Sequence, residues 1–354
     1  MKVADLFAGV GGLSQGFKMA GFSIEFAIEV DKEIAKANQI NHPNTIVYNT
    51  DITQIDIEKL HLKHPNIDII VGGPPCQGFS QKGKRLSLKD KRNFLFRYFI
   101  KFVEEFKPKY FLLENVPNII TTSKGFFKNE ILQEFEDLGY KIDYNILIAT
   151  NFGIPQNRKR AFFLGKLGKD KLIIPTNEHL NHKVSIKDAI YDLPFINSGE
   201  GEEISNYDKP ISSDYQKILR DSSTILYNHK ATNHSKIALE RLALIPKNGG
   251  KDSLPKEHLT KSIFSGTWTR LKEDSVAATI TTRFDTPSSG LFTHPILDRC
   301  LTVREAARIQ SFPDTFRFYG NKTSQMKQVG NAVPPLMVKN IAEIIKKDIY
   351  ESKT

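Results

Sequence analysis

The stretch "DLFAGVGGLSQGF", Asp5 to Phe17, decides the fold. An apolar, strand-like run over Val3 to Ala8 gives way to Gly9, Gly11 and Gly12, and a helical pattern follows. Glycines between a strand and a helix let the backbone turn tightly and bring its N–H groups close to a ligand. The spacing G-x-G-G lacks the third glycine of the dinucleotide fingerprint, and no lysine follows as a P-loop requires. A different adenosine-containing ligand is the better reading. Working outward, Ile24 to Ile28, Thr45 to Tyr48, Ile67 to Val71, Tyr110 to Leu113, Lys141 to Ile148 and Ala161 to Gly165 read as further strands, with helical segments between them. This alternation predicts βαβ units: an α/β fold with a mostly parallel sheet, covered on both faces, and ligands at the carboxyl ends of its strands.

Two acids stand at such ends. Glu29 closes the second strand, where a carboxylate can take both ribose hydroxyls, and Asp51 follows the third, within reach of an adenine amino group. Acids in these places also cap the next helix, and Asp31 is read as doing so. After Lys166 to Ile186 the βαβ rhythm stops, and to about Asp298 the chain is polar and irregular, which predicts a second domain. Helical periodicity returns over Thr302 to Gln310 and from Leu336 to Ile349.

At 354 residues, 40% hydrophobic and 25% charged, the chain has the composition of a globular protein of one large or two medium domains. No apolar run approaches a membrane span, and no charged-then-apolar leader precedes the first strand, so an intracellular protein is expected. Two cysteines, Cys76 and Cys300, are too few for a disulfide framework or a cysteine zinc site. The net charge of +10 points to a polyanionic partner, and its distribution sharpens the point. Between Lys82 and Lys101 stand eight Lys or Arg residues against one acid, Asp90. A solvated helix face would give the same pattern.

That basic segment follows "GGPPCQGFSQKGKR", residues 72 to 85, which sets Cys76 behind Pro74 and Pro75. A cysteine kept for packing belongs inside a helix or strand, and the prolines rule out both on its N-terminal side.

The ordered blocks "DLFAGVGG", Glu29, "TDI" at 50 to 52, "GGPPCQGFS", "ENV" at 114 to 116, "QNRKR" at 156 to 160, "RCLTVREAARIQSFPD" at 299 to 314 and "GNAVPP" at 330 to 335 resemble those of the DNA cytosine methyltransferases that modify ring carbon 5. The resemblance covers the chain except the middle of the polar segment. It implies a Rossmann-like methyltransferase fold with S-adenosylmethionine as cofactor, S-adenosylhomocysteine as product and no metal. Phe7 would lie against the adenine, Glu29 on the ribose, and Asp51 with Ile52 near the base. Gly9, Gly11, Gly12, Val30, Pro75, Leu95, Asn331 and Ala332 would complete the contacts. Cys76 would add to carbon 6 of cytosine as a thiolate, a form that the basic loop, Arg158 and Arg160 would favour. Glu114 would share a proton with ring nitrogen 3, although a carboxylate beside Arg158 is also readable as a plain ion pair.

A cytosine inside a duplex cannot reach a thiol, so the resemblance implies a target nucleotide extruded from double-stranded DNA. Ser80, Lys82, Lys84, Arg85 and Arg92 are expected phosphate contacts. Thr279 with Ile280 is expected against the DNA backbone, and Arg270 and Arg283 are candidates for base or phosphate contacts. The expected division is a catalytic and cofactor domain over 1–183, a smaller, irregular target-recognition domain over 184–321, and a C-terminal return over 322–354 with a helix from Val333 to Ile349. A monomeric enzyme of bacterial cytoplasm, paired with a restriction endonuclease of the same specificity, fits this reading. A tRNA-methylating relative and an inactive DNA-binding homologue are the alternatives.

Overall fold

The computed structural model describes residues 1–75, 95–176, 183–221, 223–261 and 266–352. The chain forms two compact units. The first comprises Met1–Asn151, Lys159–Glu178 and Pro335–Thr354, and the second Phe152–Arg158 and His179–Pro334.

In the first unit seven strands form one sheet: β1 (Lys2–Leu6), β2 (Ser23–Ile28), β3 (Ile46–Tyr48), β4 (Ile69–Gly72), β5 (Tyr110–Asn115), β6 (Tyr140–Ile148) and β7 (Lys159–Leu167). Their order is β3-β2-β1-β4-β5-β7-β6. Strands β1 to β5 pair in parallel, whereas β7 is antiparallel to both β5 and β6. The chain winds outward from β1 to one edge and from β4 to the other. The carboxyl ends of β1 and β4, in register at Leu6 and Gly72, therefore bound the crevice where such sheets bind ligands.

Helices α1 (Gly12–Met19), α2 (Lys32–Asn41), α3 (Ile57–Lys63), α4 (Phe96–Phe106), α5 (Asn118–Thr121) and α6 (Phe126–Asp137) follow the strands in turn. Asp31 caps α2, its carboxylate accepting from the N–H groups of Glu33 and Ile34. The core is aromatic: α4 buries Phe96, Phe99, Phe102 and Phe106, and Phe111 of β5 stacks on Phe135 of α6 at 3.9 Å. The run read as strand through Ala8 stops at Leu6, because Phe7 takes a left-handed conformation, φ 57°, that no strand can continue through.

The C-terminal helix of this unit begins at Pro335 rather than Val333 and runs to Glu351, proline suiting a first helical turn. It packs on α1 at Gly16, where a Cβ would stand 2.4 Å from Cβ of Val338 and 2.8 Å from the Pro335 carbonyl oxygen. Lys346 donates to the Ala20 carbonyl at 2.9 Å. Asp348 accepts from Tyr110 Oη at 2.5 Å and from Lys166 Nζ at 2.8 Å.

The second unit carries α7 (Ile186–Ile190), β8 (Gly201–Asn206), α8 (Asp214–Arg220), β9 (Ile225–Lys230), α9 (Lys236–Ala243), α10 (Val303–Ile309) and α11 (Lys322–Asn331), which makes the C-terminal helix α12. Strands β8 and β9 form an antiparallel pair. Buried charges organise the rest. Arg299 reaches Glu305 through two parallel bonds of 2.8 and 2.7 Å, and Glu305 also completes a capping box with Thr302 at the start of α10. Burial alone would raise the Glu305 carboxyl, but Arg299 overrides it and holds it far below the ordinary carboxylate range. Arg308 spans Asp192 and Asp314. The unit is wider than the 184–321 expected, extending to Pro334 and taking in 152–158. Asn157 N–H donates to the Ala277 carbonyl and Ala277 N–H to the Pro155 carbonyl, each at 2.8 Å, and this short parallel bridge ties the segment after β6 to the second unit.

Candidate active site

The glycine turn after β1 is held from three sides within the first unit. Gly9 N–H donates to Glu29 Oε2 at 2.9 Å, and Glu29 Oε1 accepts from Asp31 N–H at 2.8 Å. Val30 N–H also bonds to Glu29, and since a carboxylate has about four lone-pair positions, acceptor capacity remains for a hydroxyl. Asn38 Nδ2 donates to the Gly9 carbonyl at 3.0 Å. Gly11, at φ 95°, lies on the His42 ring, where a Cβ would come within 2.7 Å of Nε2. Burial, helped by nearby Lys18, pushes that imidazole down to about 4, so His42 packs under the turn as a neutral ring.

Asp5 is fully buried beneath the same turn. Its Oδ2 accepts from Ser14 N–H at 3.2 Å and from Ser14 Oγ at 2.6 Å, and Oδ1 has no hydrogen-bond partner among the described residues. Burial pushes the Asp5 carboxyl up to about 7 against the pull of Ser14. Burial likewise raises Glu29 over the opposing bonds from Asp31 and Gly9. The turn therefore rests on two carboxyl groups that a bound cation would relieve.

At the neighbouring strand ends, Asn49 Nδ2 bridges the Glu29 and Val30 carbonyls at 2.9 and 3.0 Å. Val30 is 65% exposed and Ile52 is buried. Asp51 caps the turn it precedes by accepting from Thr53 N–H at 2.9 Å. Phe7 is partly buried against the main core, as is Leu95 just before α4.

The end of β4 leads through Gly73 and Pro74 to an exposed Pro75. Asn115 Nδ2 donates to the Pro74 carbonyl at 2.9 Å and pins this stem to the end of β5. Glu114 lies against it: a Cβ on Gly73 would stand 2.8 Å from Glu114 Oε2. Glu114 Oε1 pairs with Arg160 Nε of β7 at 2.8 Å, both side chains being mostly buried. Burial lowers the Arg160 pKa, and Glu114 opposes it. The ion pair foreseen for Glu114 is thus made with Arg160. Cys76, Ser80, Lys82, Lys84, Arg85 and Arg92 lie outside the described residues.

In the second unit, Arg158 is fully buried and donates through Nη1 to the Ile280 carbonyl at 3.0 Å and through Nη2 to the Gly330 carbonyl at 2.8 Å. Thr279 is half-buried and its hydroxyl donates to the Asn157 carbonyl at 3.1 Å. Arg283 is exposed, held in a short turn by Thr281 and 3.4 Å from Asp285. Asn331 is exposed and Ala332 half-buried. The expectation for Arg270 is corrected. Its guanidinium is 5% exposed and donates to the carbonyls of Leu242, Ile245, His294 and Leu297 and to Asp298, so it fastens loops and has no face for a base.

Sequence reasoning missed Asp5, Asn38, His42 and Asn115. An acid inside an apolar strand was a readable signal for Asp5, and the asparagine of "ENV" for Asn115. Among the described residues no three His, Cys, Asp or Glu side chains gather to hold a metal ion, and no helix is long and apolar enough to cross a membrane.

The sequence profile of the C-5 cytosine-specific DNA methylases matches residues 1–347. The chain belongs to that family. The methylase is 39% identical to the Type II methyltransferase M.DdeI of Desulfomicrobium norvegicum, over 98% of this chain and 88% of the relative. It is 35% identical to M1.HphI of Haemophilus parahaemolyticus, over 97% and 86%. Among solved structures it is similar to a DNA modification methyltransferase encoded within an E. coli prophage, with TM-score 0.78, 29% identity and 99% of both chains covered. Dnmt2 of S. pombe, at 17% identity and TM-score 0.64 over the whole of both chains, shares the fold.

Proposed function

We propose that this methylase transfers a methyl group from S-adenosylmethionine to carbon 5 of a cytosine in duplex DNA, with Cys76 as covalent nucleophile and the target base turned out of the stack. The observation that carries this reading is the setting of Gly73 and Pro74, the described residues that lead to Cys76. Pro74 is bonded to Asn115 and Gly73 lies against Glu114, so the residues leading into Cys76 are fixed beside the Glu114–Arg160 pair.

The cofactor reading fits the glycine turn. Glu29 keeps acceptor capacity for a ribose hydroxyl, and the buried Asp5 and Glu29 carboxyls favour a ligand that carries positive charge. S-Adenosylmethionine is such a cation and supplies the methyl group from its sulfonium. Phe7, Gly9, Gly11, Gly12, Val30, Asp51, Ile52, Pro75, Leu95, Asn331 and Ala332 are the further residues assigned to it.

Carbon 5 of cytosine is a poor nucleophile until a thiolate adds at carbon 6. Electron density then moves toward ring nitrogen 3, where Glu114, oriented by Arg160, would share a proton with the ring. Once carbon 5 carries the methyl group, loss of its proton to a base and expulsion of the thiolate from carbon 6 free Cys76. Extrusion of the base costs a few kcal/mol, which contacts from Ser80, Lys82, Lys84, Arg85 and Arg92 to phosphate, and from Thr279 and Arg283 in the second unit, would offset. The second unit is read as the target-recognition domain. A restriction endonuclease of the same specificity is the expected partner in the cell.

Transfer of labelled methyl groups to unmethylated duplex DNA, followed by bisulfite sequencing, tests the assignment. Wild type should modify one cytosine in a fixed context, and Cys76→Ser should abolish turnover while leaving duplex binding largely intact, because a serine hydroxyl without a general base is a poor nucleophile. Near-normal turnover by Cys76→Ser would refute the covalent step. Methylation of bulk tRNA but not of DNA would place the enzyme with the tRNA-modifying branch.

A further inference from the structure

Inside the second unit a continuous chain of buried polar groups joins two segments far apart in sequence. Ile280 N–H donates to Gln156 Oε1 at 2.8 Å. Gln156 Nε2 donates to Gln310 Oε1. Gln310 Nε2 in turn donates to the carbonyls of Val329 at 3.0 Å and Ala332 at 2.9 Å. The N–H at one end and the carbonyls at the other fix the orientation of both amides. Arg158 runs alongside, bridging the carbonyls of Ile280 and Gly330. Both backbone polar groups of Ile280 are thus held by the 156–158 segment. Backbone meets backbone as well, since a Cβ on Gly330 would stand 2.3 Å from the Thr281 carbonyl oxygen.

Gln156, Arg158 and Gln310 are fully buried, and Ile280 is 1% exposed. A shift of Ile280 relative to Gly330 would leave several of these groups unpaired away from water, at about 1–3 kcal/mol each. The two segments therefore move together or hardly at all.

We propose that Gln156, Arg158 and Gln310 are positioning residues that couple duplex binding at Thr279–Ile280 to cofactor binding at Asn331–Ala332, each event tightening the other. The coupling rests on the assignment of those two segments in the proposed function. It is a property of neither ligand site alone, and it is reciprocal by linkage.

The test uses the full chain and calorimetric titration of S-adenosylhomocysteine, with and without a saturating unmethylated duplex that carries the site found by bisulfite sequencing. In wild type the duplex should tighten the homocysteine derivative by about fivefold or more. In Gln310→Met, which keeps side-chain length and removes the amide, that enhancement should fall below about twofold, while each ligand alone binds within about threefold of wild type. A second variant guards against misfolding. In Gln156→Glu a neutral carboxyl still accepts from Ile280 and donates to Gln310, whereas a carboxylate cannot donate. Its enhancement should persist near about pH 6 and disappear toward about pH 9, with no such trend in wild type. Wild type without enhancement, or both variants with the full enhancement at every pH, would overturn the coupling. Wild type that binds neither ligand would sink the functional reading itself, and the coupling with it.

Discussion

Replacing Asp5 with asparagine isolates a charge that the fold buries beneath the glycine turn. Burial pushes this carboxyl from 3.8 up to about 7 in the folded chain. The sign follows from linkage: the fold prefers the protonated form, so stability is greatest below the unfolded value, falls as pH rises between the two, and levels off above about 7. A gap of about three pKa units is about 4 kcal/mol in full, of which about 2–3 kcal/mol is lost between pH 5 and pH 8. Asparagine cannot ionise. Its carbonyl can still accept from Ser14, but its amide N–H groups occupy a position with no partner among the described residues, a cost of about 1–3 kcal/mol at every pH. Comparing the variants by the change between the two pH values removes that constant. Urea unfolding should be followed by far-ultraviolet circular dichroism, because Trp268, the sole tryptophan, lies in the second unit and would report on the wrong place. Wild type should lose about 2–3 kcal/mol more than Asp5→Asn between pH 5 and pH 8. Equal losses would refute the claim that Asp5 is a buried, strained charge. A cationic ligand should narrow the difference, by favouring the ionised form.

Two further substitutions follow from the second unit. Arg270→Lys should cost about 3 kcal/mol or more in unfolding free energy, because an ammonium cannot serve four carbonyls and Asp298 in the planar pattern that the guanidinium fits; a variant of wild-type stability with weaker duplex binding would instead restore Arg270 as a DNA contact. Gly330→Ala should cost about 1–3 kcal/mol, since its Cβ meets the Thr281 backbone rather than a flexible side chain, and a thermal melt unchanged from wild type would show that the two segments separate freely.

The first five strands were legible because each is a short apolar run between turn signals, and a parallel sheet buries both faces of its strands. The directions of β6 and β7 were not, since periodicity carries no direction. Phe7 misled for a related reason: it is apolar and follows an apolar run, but the chain must leave the sheet there, and the reversal is written in φ. The glycine turn, Glu29 and the "ENV" segment announced the candidate site, whereas its supports did not. Asn38 looks like one polar residue on an amphipathic helix, and His42 like a surface histidine, until tertiary packing places both against Gly9 and Gly11. Arg270 erred in the opposite direction. A cation in a polar segment resembles a nucleic-acid contact, and only the carbonyls of residues 24 to 28 positions away reveal that it is a core residue. Gln156 and Gln310 stood inside quoted blocks, yet nothing local says that they meet each other.

The packing of α12 on α1 has a consequence for biosynthesis. The bond from Lys346 to Ala20 spans 326 residues, so at about 5–20 residues per second a nascent chain would display the bare groove at Gly16 for on the order of tens of seconds before its cover emerges from the ribosome. The whole second unit is made in that interval. Its groups can collapse as they appear, whereas the sheet that precedes it must wait with one helix missing. Chaperone dependence should therefore be concentrated in the earliest part of the polypeptide, and a circular permutant that places Pro335–Glu351 ahead of Met1 through a flexible linker should mature faster than the natural order.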